Sequence, residues 1–176
     1  MRTVFAGIII GITGLLLSAC SLIYQDIQEP IGLLGEVSIE TIQHGGRNRS
    51  FRYYTPKSLP ESPSLLIVLH GSRGDGQLIR KMTGFRFDLL SEKENYIVVY
   101  PDGYEGHWNG CRKNPQDSAH LLEIDDVGFI DAVIDYFSNQ YGINRSRVYA
   151  TGFSNGGHMC FRLATVMPEK IAAVAA

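Results

Sequence analysis

Residues 148–159, VYATGFSNGGHM, place a serine between two glycines, after an apolar run and before a run with helical spacing. Gly152, Ser154 and Gly156 fit the pattern G-x-S-x-G, in which a nucleophilic serine occupies a sharp turn between a buried strand and a helix. The glycines let the strand and the helix pass close to the turn without a Cβ clash. The pattern predicts that Ser154 is a nucleophile. The alternative is a tight turn in which Ser154 only caps the helix.

Three other apolar runs predict further strands of the same sheet. Two of them, SLLIVLHG and NYIVVYPDG, cover residues 64–71 and 95–103, and a third, KIAAVAA, starts at residue 170. Unbroken apolar runs are typical of strands that are buried on both faces of a sheet. An alternating run over residues 49–56 predicts one more strand, with one face toward the core.

Helical spacing separates these strands. Apolar side chains recur at helical intervals over residues 126–141, with Asp125 or Asp126 as the N-cap and Gly142 as the end. Similar patterns predict helices near residues 85–94 and 155–167.

Strands that alternate with helices predict an α/β fold, with a mostly parallel sheet covered by helices on both faces. Right-handed crossovers then bring the strand ends at Gly71, Gly103 and Gly152 to one edge of the sheet. Ligands of open α/β sheets bind at that edge. We expect one α/β domain over residues 47–176.

The N-terminal residues have the layout of a bacterial secretion signal. Residues 1–20, MRTVFAGIIIGITGLLLSAC, carry one basic residue and then an uncharged apolar stretch. The last four letters resemble a lipobox, so we predict a signal peptide over residues 1–19, a lipid on Cys20 and a tether over residues 20–46. A membrane is then a partner through the lipid anchor. The alternatives are a plain signal peptide and an uncleaved anchor.

The predicted lipoprotein belongs in the bacterial cell envelope. Ser21 follows the cysteine, and by resemblance to lipoprotein sorting this favours the outer membrane over inner-membrane retention; without the lipid, the protein is expected to be secreted or periplasmic. An oxidising compartment permits a disulfide between Cys111 and Cys160. The alternatives are a buried thiol at Cys160 and a partner for Cys111 outside this chain.

The overall composition is that of a globular domain and excludes one class of partner. The chain is 44% hydrophobic and 19% charged, with a formal net charge of −2. This charge gives no electrostatic reason to expect nucleic acid binding.

A glycine-rich loop follows the first buried strand, in LHGSRGDG at residues 69–76. Its free backbone N–H groups suit one half of an oxyanion hole, and the N–H after the nucleophile suits the other half. We predict the backbones of Ser72 and Asn155 as the donors, with Arg73 as the alternative to Ser72. His70 is expected to hold the loop rather than act as a base. A phosphate loop is disfavoured because G-x-x-x-x-G-K-[ST] is absent.

The loop after the next strand, YPDGYEGHWNGC at residues 100–111, has the composition of a shaped loop over a pocket. His107 and Trp108 are candidates for contact with substrate. The alternative is a loop packed for its own stability.

These segments together resemble a known enzyme group. LHGSRGDG, IVVYPDG, DDVGFIDAVID and RVYATGFSNGGHMCFRLA occur in the order and spacing of the polyhydroxybutyrate depolymerase and feruloyl esterase group of α/β-hydrolases, over roughly residues 50–176. The resemblance implies a secreted serine esterase acting on hydroxyalkanoate, feruloyl or acetyl esters without metal or cofactor. It matches Ser154 to the nucleophile, and Ser72 and Asn155 to the oxyanion donors.

The resemblance also raises the question of the other catalytic residues. In this fold an acid and then a histidine follow the serine, but Glu169 and His158 lie too close to Ser154 to serve. Acids and histidines before the serine would need a different architecture: Asp102, Asp125, Asp126, His107 and His120. We predict that the acid and the histidine lie after Ala176, in a larger esterase. The alternatives are a truncated, inactive lipoprotein and a peptidase of the prolyl-oligopeptidase kind, which GFSNGG also fits.

Overall fold

The computed structural model describes residues 27–112 and 117–176. The predicted signal peptide and the predicted lipid site at Cys20 lie outside these residues. Within the described part of the chain, no helix is both long and apolar enough to cross a membrane.

Six strands form one mixed sheet in the order β1-β2-β4-β3-β5-β6. Pairing is antiparallel between β1 and β2 and between β2 and β4, and it is parallel from β4 to β6. This confirms the mostly parallel sheet expected from the sequence. The strands are β1 Glu36–His44, β2 Arg47–Thr55, β3 Leu65–Leu69, β4 Ile97–Pro101, β5 Val148–Gly152 and β6 Ala173–Ala175.

The first strand corrects the predicted tether. The tether was expected to reach residue 46, but β1 pairs with β2 along its whole length, from Glu36 opposite Thr55 to His44 opposite Arg47. Gly45 and Gly46, both with positive φ, form the two-residue turn between these strands. Such a turn matches the twist of a hairpin and requires positive φ at both positions. The domain therefore begins no later than residue 36.

Five helices of the described residues cover the two faces of the sheet. They are α1 Gly76–Met82, α2 Arg86–Glu94, α3 Ser118–Leu121, α4 Asp126–Tyr141 and α5 Asn155–Val166. One core cluster joins the sheet to α4 and α5, through side chains such as Phe129 and Leu163. A second cluster on the other face includes Ile79 of α1. Coverage of both faces is therefore confirmed.

Helix α4 has the caps that its sequence predicted. The side chain of Asp125 accepts a hydrogen bond from the Gly128 N–H, and Gly142 ends the helix in the left-handed conformation. This hydrogen bond is the main reason why the pKa of Asp125 lies below its usual range. Asp126, the first residue of the helix, is fully buried instead.

Candidate active site

Ser154 lies in a strained turn between β5 and α5. Its backbone angles are φ 54° and ψ −112°, a combination that costs a non-glycine residue about 1–3 kcal/mol. The residue occupies the N-cap position, yet its side chain makes no capping hydrogen bond. It is also exposed to solvent. The interpretation of Ser154 as a simple helix cap is therefore wrong, and the hydroxyl is free to react.

The two glycines of the motif are required by close contacts between backbones. A Cβ on Gly152 would lie 2.4 Å from the carbonyl of Gly156. A Cβ on Gly156 would lie 2.3 Å from the carbonyl oxygen of Leu69, at the end of β3. The turn thus packs against the strand that leads into the glycine-rich loop.

The backbone N–H groups predicted for the oxyanion hole are not used elsewhere in the described structure. Within residues 27–112 and 117–176, no hydrogen bond occupies the N–H of Ser72, which is exposed. The N–H of Asn155 opens α5 and has no partner inside the helix. Arg73, the alternative donor, is excluded because its N–H donates to the Gly106 carbonyl at 2.7 Å.

His70 holds the glycine-rich loop, as the sequence predicted. The ring is buried, and both nitrogens are engaged: Nδ1 lies 2.7 Å from the Gly71 carbonyl oxygen, and Nε2 accepts from the Gly103 N–H at 2.8 Å. Burial lowers the pKa of His70 below its usual range. A neutral ring fixed at both nitrogens is unsuited to act as the general base for Ser154.

Trp108 packs inside the domain rather than lining an open pocket. Its side chain is 1% exposed, and its indole N–H donates to the His70 carbonyl at 3.0 Å. The side chain of Asn155 binds both backbone polar groups of Trp108, at 2.7 and 3.1 Å. Of the two interpretations of this loop, the structure supports packing for Trp108.

The other candidate of this loop, His107, lies closer to the surface. Its Nδ1 lies 2.9 Å from the Glu105 carbonyl oxygen, and its Nε2 lies 3.4 Å from a carboxylate oxygen of Asp117. The ring therefore has local partners within the loop, and contact with substrate stays a prediction.

The acids that precede Ser154 support the loops of the site. Asp102 accepts hydrogen bonds from the Gly76 N–H at 2.7 Å and from the Ser50 hydroxyl at 2.6 Å. Asp126 binds Arg49 at 2.6 Å and the Asn109 N–H at 2.7 Å. Burial raises the pKa of Asp126 despite these contacts. Both acids thus stabilise the loops after β3 and β4.

His158 does not reach the nucleophile. It lies one helical turn after Ser154, and its Nδ1 lies 3.8 Å from the sulfur of Cys111. No hydrogen bond within the described ranges joins a histidine to the Ser154 hydroxyl. Glu169 is exposed beyond α5. These positions agree with the sequence-based view that neither residue serves as a triad partner.

The cysteines of the domain are free. Cys111 is exposed and Cys160 is buried, so the structure supports the buried-thiol alternative over a disulfide between them. Burial raises the pKa of the Cys160 thiol to about 12. Among residues 27–112 and 117–176, no group of three His, Cys, Asp or Glu side chains is placed to hold a metal ion.

The arrangement resembles solved esterase structures. An acetyl xylan esterase from Aspergillus awamori superposes with a TM-score of 0.59 and 24% identity, over 78% of this chain and 50% of that one. The fold is that of the α/β-hydrolases.

Curated relatives confirm the resemblance to the depolymerase and feruloyl esterase group. Feruloyl esterase B of Thermothelomyces thermophilus is 29% identical over 66% of this chain and 39% of its own length. A poly(3-hydroxybutyrate) depolymerase of Ralstonia pickettii is 28% identical over 73% of this chain and 28% of its own. This chain thus spans less than half of either relative. No protein-family model matches it.

Sequence reasoning missed the side-chain role of Asn155 and the ion pair between Arg49 and Asp126. Asn155 and its partner Trp108 are 47 positions apart, and Arg49 and Asp126 are 77 positions apart. For Asn155, the signal in the sequence was a polar residue directly after the serine in GFSNGG.

Proposed function

We propose that the protein is a carboxylic ester hydrolase with Ser154 as its nucleophile. One observation carries the proposal: an exposed serine hydroxyl that caps nothing is held in a strained turn. It lies at the edge of the sheet where the Ser72 and Asn155 N–H groups have no hydrogen-bond partner among the described residues. Strain kept at a reactive position is typical of functional sites.

The chemistry would proceed in two acyl-transfer steps. The Ser154 oxygen attacks the ester carbonyl and gives its proton to a general base, and the oxyanion accepts hydrogen bonds from Ser72 and Asn155. Collapse of the intermediate expels the alcohol, which takes up that proton. Water then attacks the acyl-enzyme and releases the acid. The identity of the general base and of the acid that orients it stays a prediction.

The substrate class is proposed from the relatives and from one side chain. Relatives are named for feruloyl and acetylxylan esters and for poly(3-hydroxybutyrate). Phe153, next to the nucleophile, is 57% exposed, and its ring lies 3.0 Å from the position of a Cβ on Gly71. An exposed aromatic ring between the two halves of the site offers an apolar surface to an acyl group.

The test is covalent labelling of the product of the whole reading frame with a fluorophosphonate probe. We expect a single adduct that is lost in Ser154→Ala and kept in Ser58→Ala, a matched change at an exposed serine. Turnover of acetyl, feruloyl and hydroxybutyrate esters should follow the same pattern, with no cleavage of peptide anilides. Labelling that survives Ser154→Ala would overturn the nucleophile, and a wild-type protein without labelling or turnover would favour the inactive lipoprotein.

We also propose that Cys20 carries a lipid that holds the protein in the cell envelope, in the outer membrane. The support is the LSAC lipobox after an uncharged apolar stretch, with Ser21 after the cysteine. Stable anchoring needs two or more acyl chains. Growth with an alkyne fatty acid should label the wild type and not Cys20→Ser, and fractionation should then place the label in the outer membrane. A mature protein of unlipidated mass would overturn the proposal.

A further inference from the structure

The two ring nitrogens of His70 have different roles that the structure fixes. The Gly103 backbone offers Nε2 an N–H at 2.8 Å, so Nε2 accepts and carries no proton. The neutral ring therefore carries its proton on Nδ1, which donates to the Gly71 carbonyl oxygen at 2.7 Å. The indole N–H of Trp108 binds the carbonyl of His70 itself.

The carbonyl that His70 holds belongs to the same peptide unit as the Ser72 N–H. A trans peptide is planar, with its C=O and N–H pointing in opposite directions, and the described chain has no cis peptide bond. The Gly71 carbonyl accepts a second hydrogen bond from the Gly74 N–H at 3.2 Å. Two donors on the oxygen thus set the direction in which the Ser72 N–H points.

We propose that His70 is a positioning residue of the oxyanion hole: by holding the Gly71 carbonyl, it orients the Ser72 N–H toward the substrate oxyanion. The proposal rests on the proposed esterase function. Without the Nδ1 donor, the Gly71–Ser72 peptide loses one of its two restraints. The Gly74 N–H alone then holds the peptide, which can rotate so that the Ser72 N–H meets the developing negative charge less well.

Protonation at Nε2 would remove the contact with the Gly103 N–H, because a protonated nitrogen cannot accept a hydrogen bond, whereas Nδ1 keeps its proton in both forms of the ring. Burial favours the neutral form. The charged and titratable groups that act on the ring are Asp75 before α1, Asp102 after β4 and His107 in the following loop. The two acids favour the protonated ring and His107 disfavours it.

Two substitutions separate the roles of the two nitrogens. The amide nitrogen of Asn reaches the place of Nδ1, whereas the amide group of Gln reaches the place of Nε2. We expect His70→Gln to lower kcat for a soluble ester by roughly 10²–10³-fold, the cost of losing one oxyanion donor, with KM changed far less. His70→Asn should recover most of this loss. His44→Gln, at a histidine paired with Asp125 outside the site, should leave kcat unchanged.

The same variants and an NMR measurement on the wild type decide the outcome. Long-range nitrogen–proton spectra should show the His70 proton on Nδ1 at neutral pH, and a proton on Nε2 would overturn the proposal whether or not the protein is an esterase. Equal kcat in His70→Gln and the wild type would also overturn it, as would equal losses in the Asn and Gln variants. A wild type that neither labels with fluorophosphonate nor turns over esters would contradict the esterase function instead.

Discussion

The side chain of Asn155 binds Trp108 through both backbone polar groups of the tryptophan. Its Oδ1 accepts from the Trp108 N–H at 2.7 Å, and its Nδ2 donates to the Trp108 carbonyl at 3.1 Å. Asn155 thus has two functions in one residue, because its own backbone N–H is the proposed oxyanion donor. The loop after β4 and the nucleophile turn are joined at this point.

Replacement of Asn155 by alanine should lower stability. The change leaves two buried polar groups of Trp108 without partners, and each such group costs about 1–3 kcal/mol, so we expect a loss of about 2–6 kcal/mol. Urea unfolding followed by the fluorescence of Trp108, the single tryptophan, measures this loss. The control is Asn139→Ala at an exposed position of α4. A similar unfolding midpoint for both variants would contradict the structural role of Asn155.

The close contact between the nucleophile turn and β3 predicts that position 156 does not tolerate a side chain. In Gly156→Ala the new Cβ would lie 2.3 Å from the Leu69 carbonyl oxygen, so the turn must shift. We expect lower stability and a loss of fluorophosphonate labelling. In Gly157→Ala the nearest atom is the Ala176 Cβ, at 3.2 Å, and alanine gains about 1 kcal/mol of helix propensity over glycine. That neighbouring variant should fold and label like the wild type; equal behaviour of the two would show that the close approach is unimportant.

The central strands were predictable because their sequences alone carry the signal. β3 and β4 are almost fully buried on both faces and therefore appear as unbroken apolar runs, whereas β5 exposes Tyr149 and is predictable from its place before the serine motif. β1 lies at the edge of the sheet and is only partly buried, so its sequence alternates weakly and does not stand out from a tether. The Gly45–Gly46 pair was the missed signal. Helix α1 has seven residues, too few for a clear helical period.

Part of the candidate site follows from short sequence motifs, and part depends on contacts between residues that are far apart in sequence. The nucleophile turn and its donors follow from short motifs, since the backbone requirements of Gly152 and Gly156 are local. The burial of Trp108 was not predictable from its loop, because its partners, His70 and Asn155, are 38 and 47 residues away in sequence. Long-range packing therefore makes Trp108 a core residue and not a pocket residue.

Stability should depend on pH through His70. Burial lowers the pKa of the folded state, whereas the unfolded ring titrates near about 6.5. Between these two values the unfolded chain binds more protons, so stability falls as the pH falls through about 6.5 toward the folded pKa. Urea midpoints measured from about pH 7.5 to pH 5 should show this fall in the wild type. His70→Gln should show a flatter profile, and an identical profile would contradict the assignment.

The acidic groups with lowered pKa values affect stability in a lower pH range. The pKa of Glu92 is lowered by hydrogen bonds, the first of them from Tyr54, against the opposing effect of burial, and the pKa of Asp125 is lowered mainly by the Gly128 N–H. Their contributions to stability are present at pH values above the unfolded carboxyl pKa of about 4. These contributions are lost as the pH falls through the lower pKa values of the folded state. Glu92 and Asp125 therefore add little to the pH dependence above about pH 5, where His70 is expected to act.

The buried ion pair between Arg49 and Asp126 gives the last prediction. The two side chains are 3% and 0% exposed and lie 2.6 Å apart. Removal of one partner leaves a buried charge unpaired, so Arg49→Met should cost about 3–5 kcal/mol. Arg145→Met breaks an exposed pair with Asp135 at 2.5 Å and should cost no more than about 1 kcal/mol. Urea unfolding of both variants makes the comparison.

The pH dependence of the Arg49→Met variant tests the cause of its destabilisation. Burial already raises the pKa of Asp126 in the wild type, and loss of the guanidinium raises it further. A folded state with a raised carboxyl pKa loses stability as the pH rises through the range between the unfolded and folded values. The deficit of the variant should therefore shrink as the pH is lowered, because the carboxyl of Asp126 takes up a proton. A deficit that stays constant with pH would mean that lost packing against Phe129, rather than an unpaired charge, destabilises the variant.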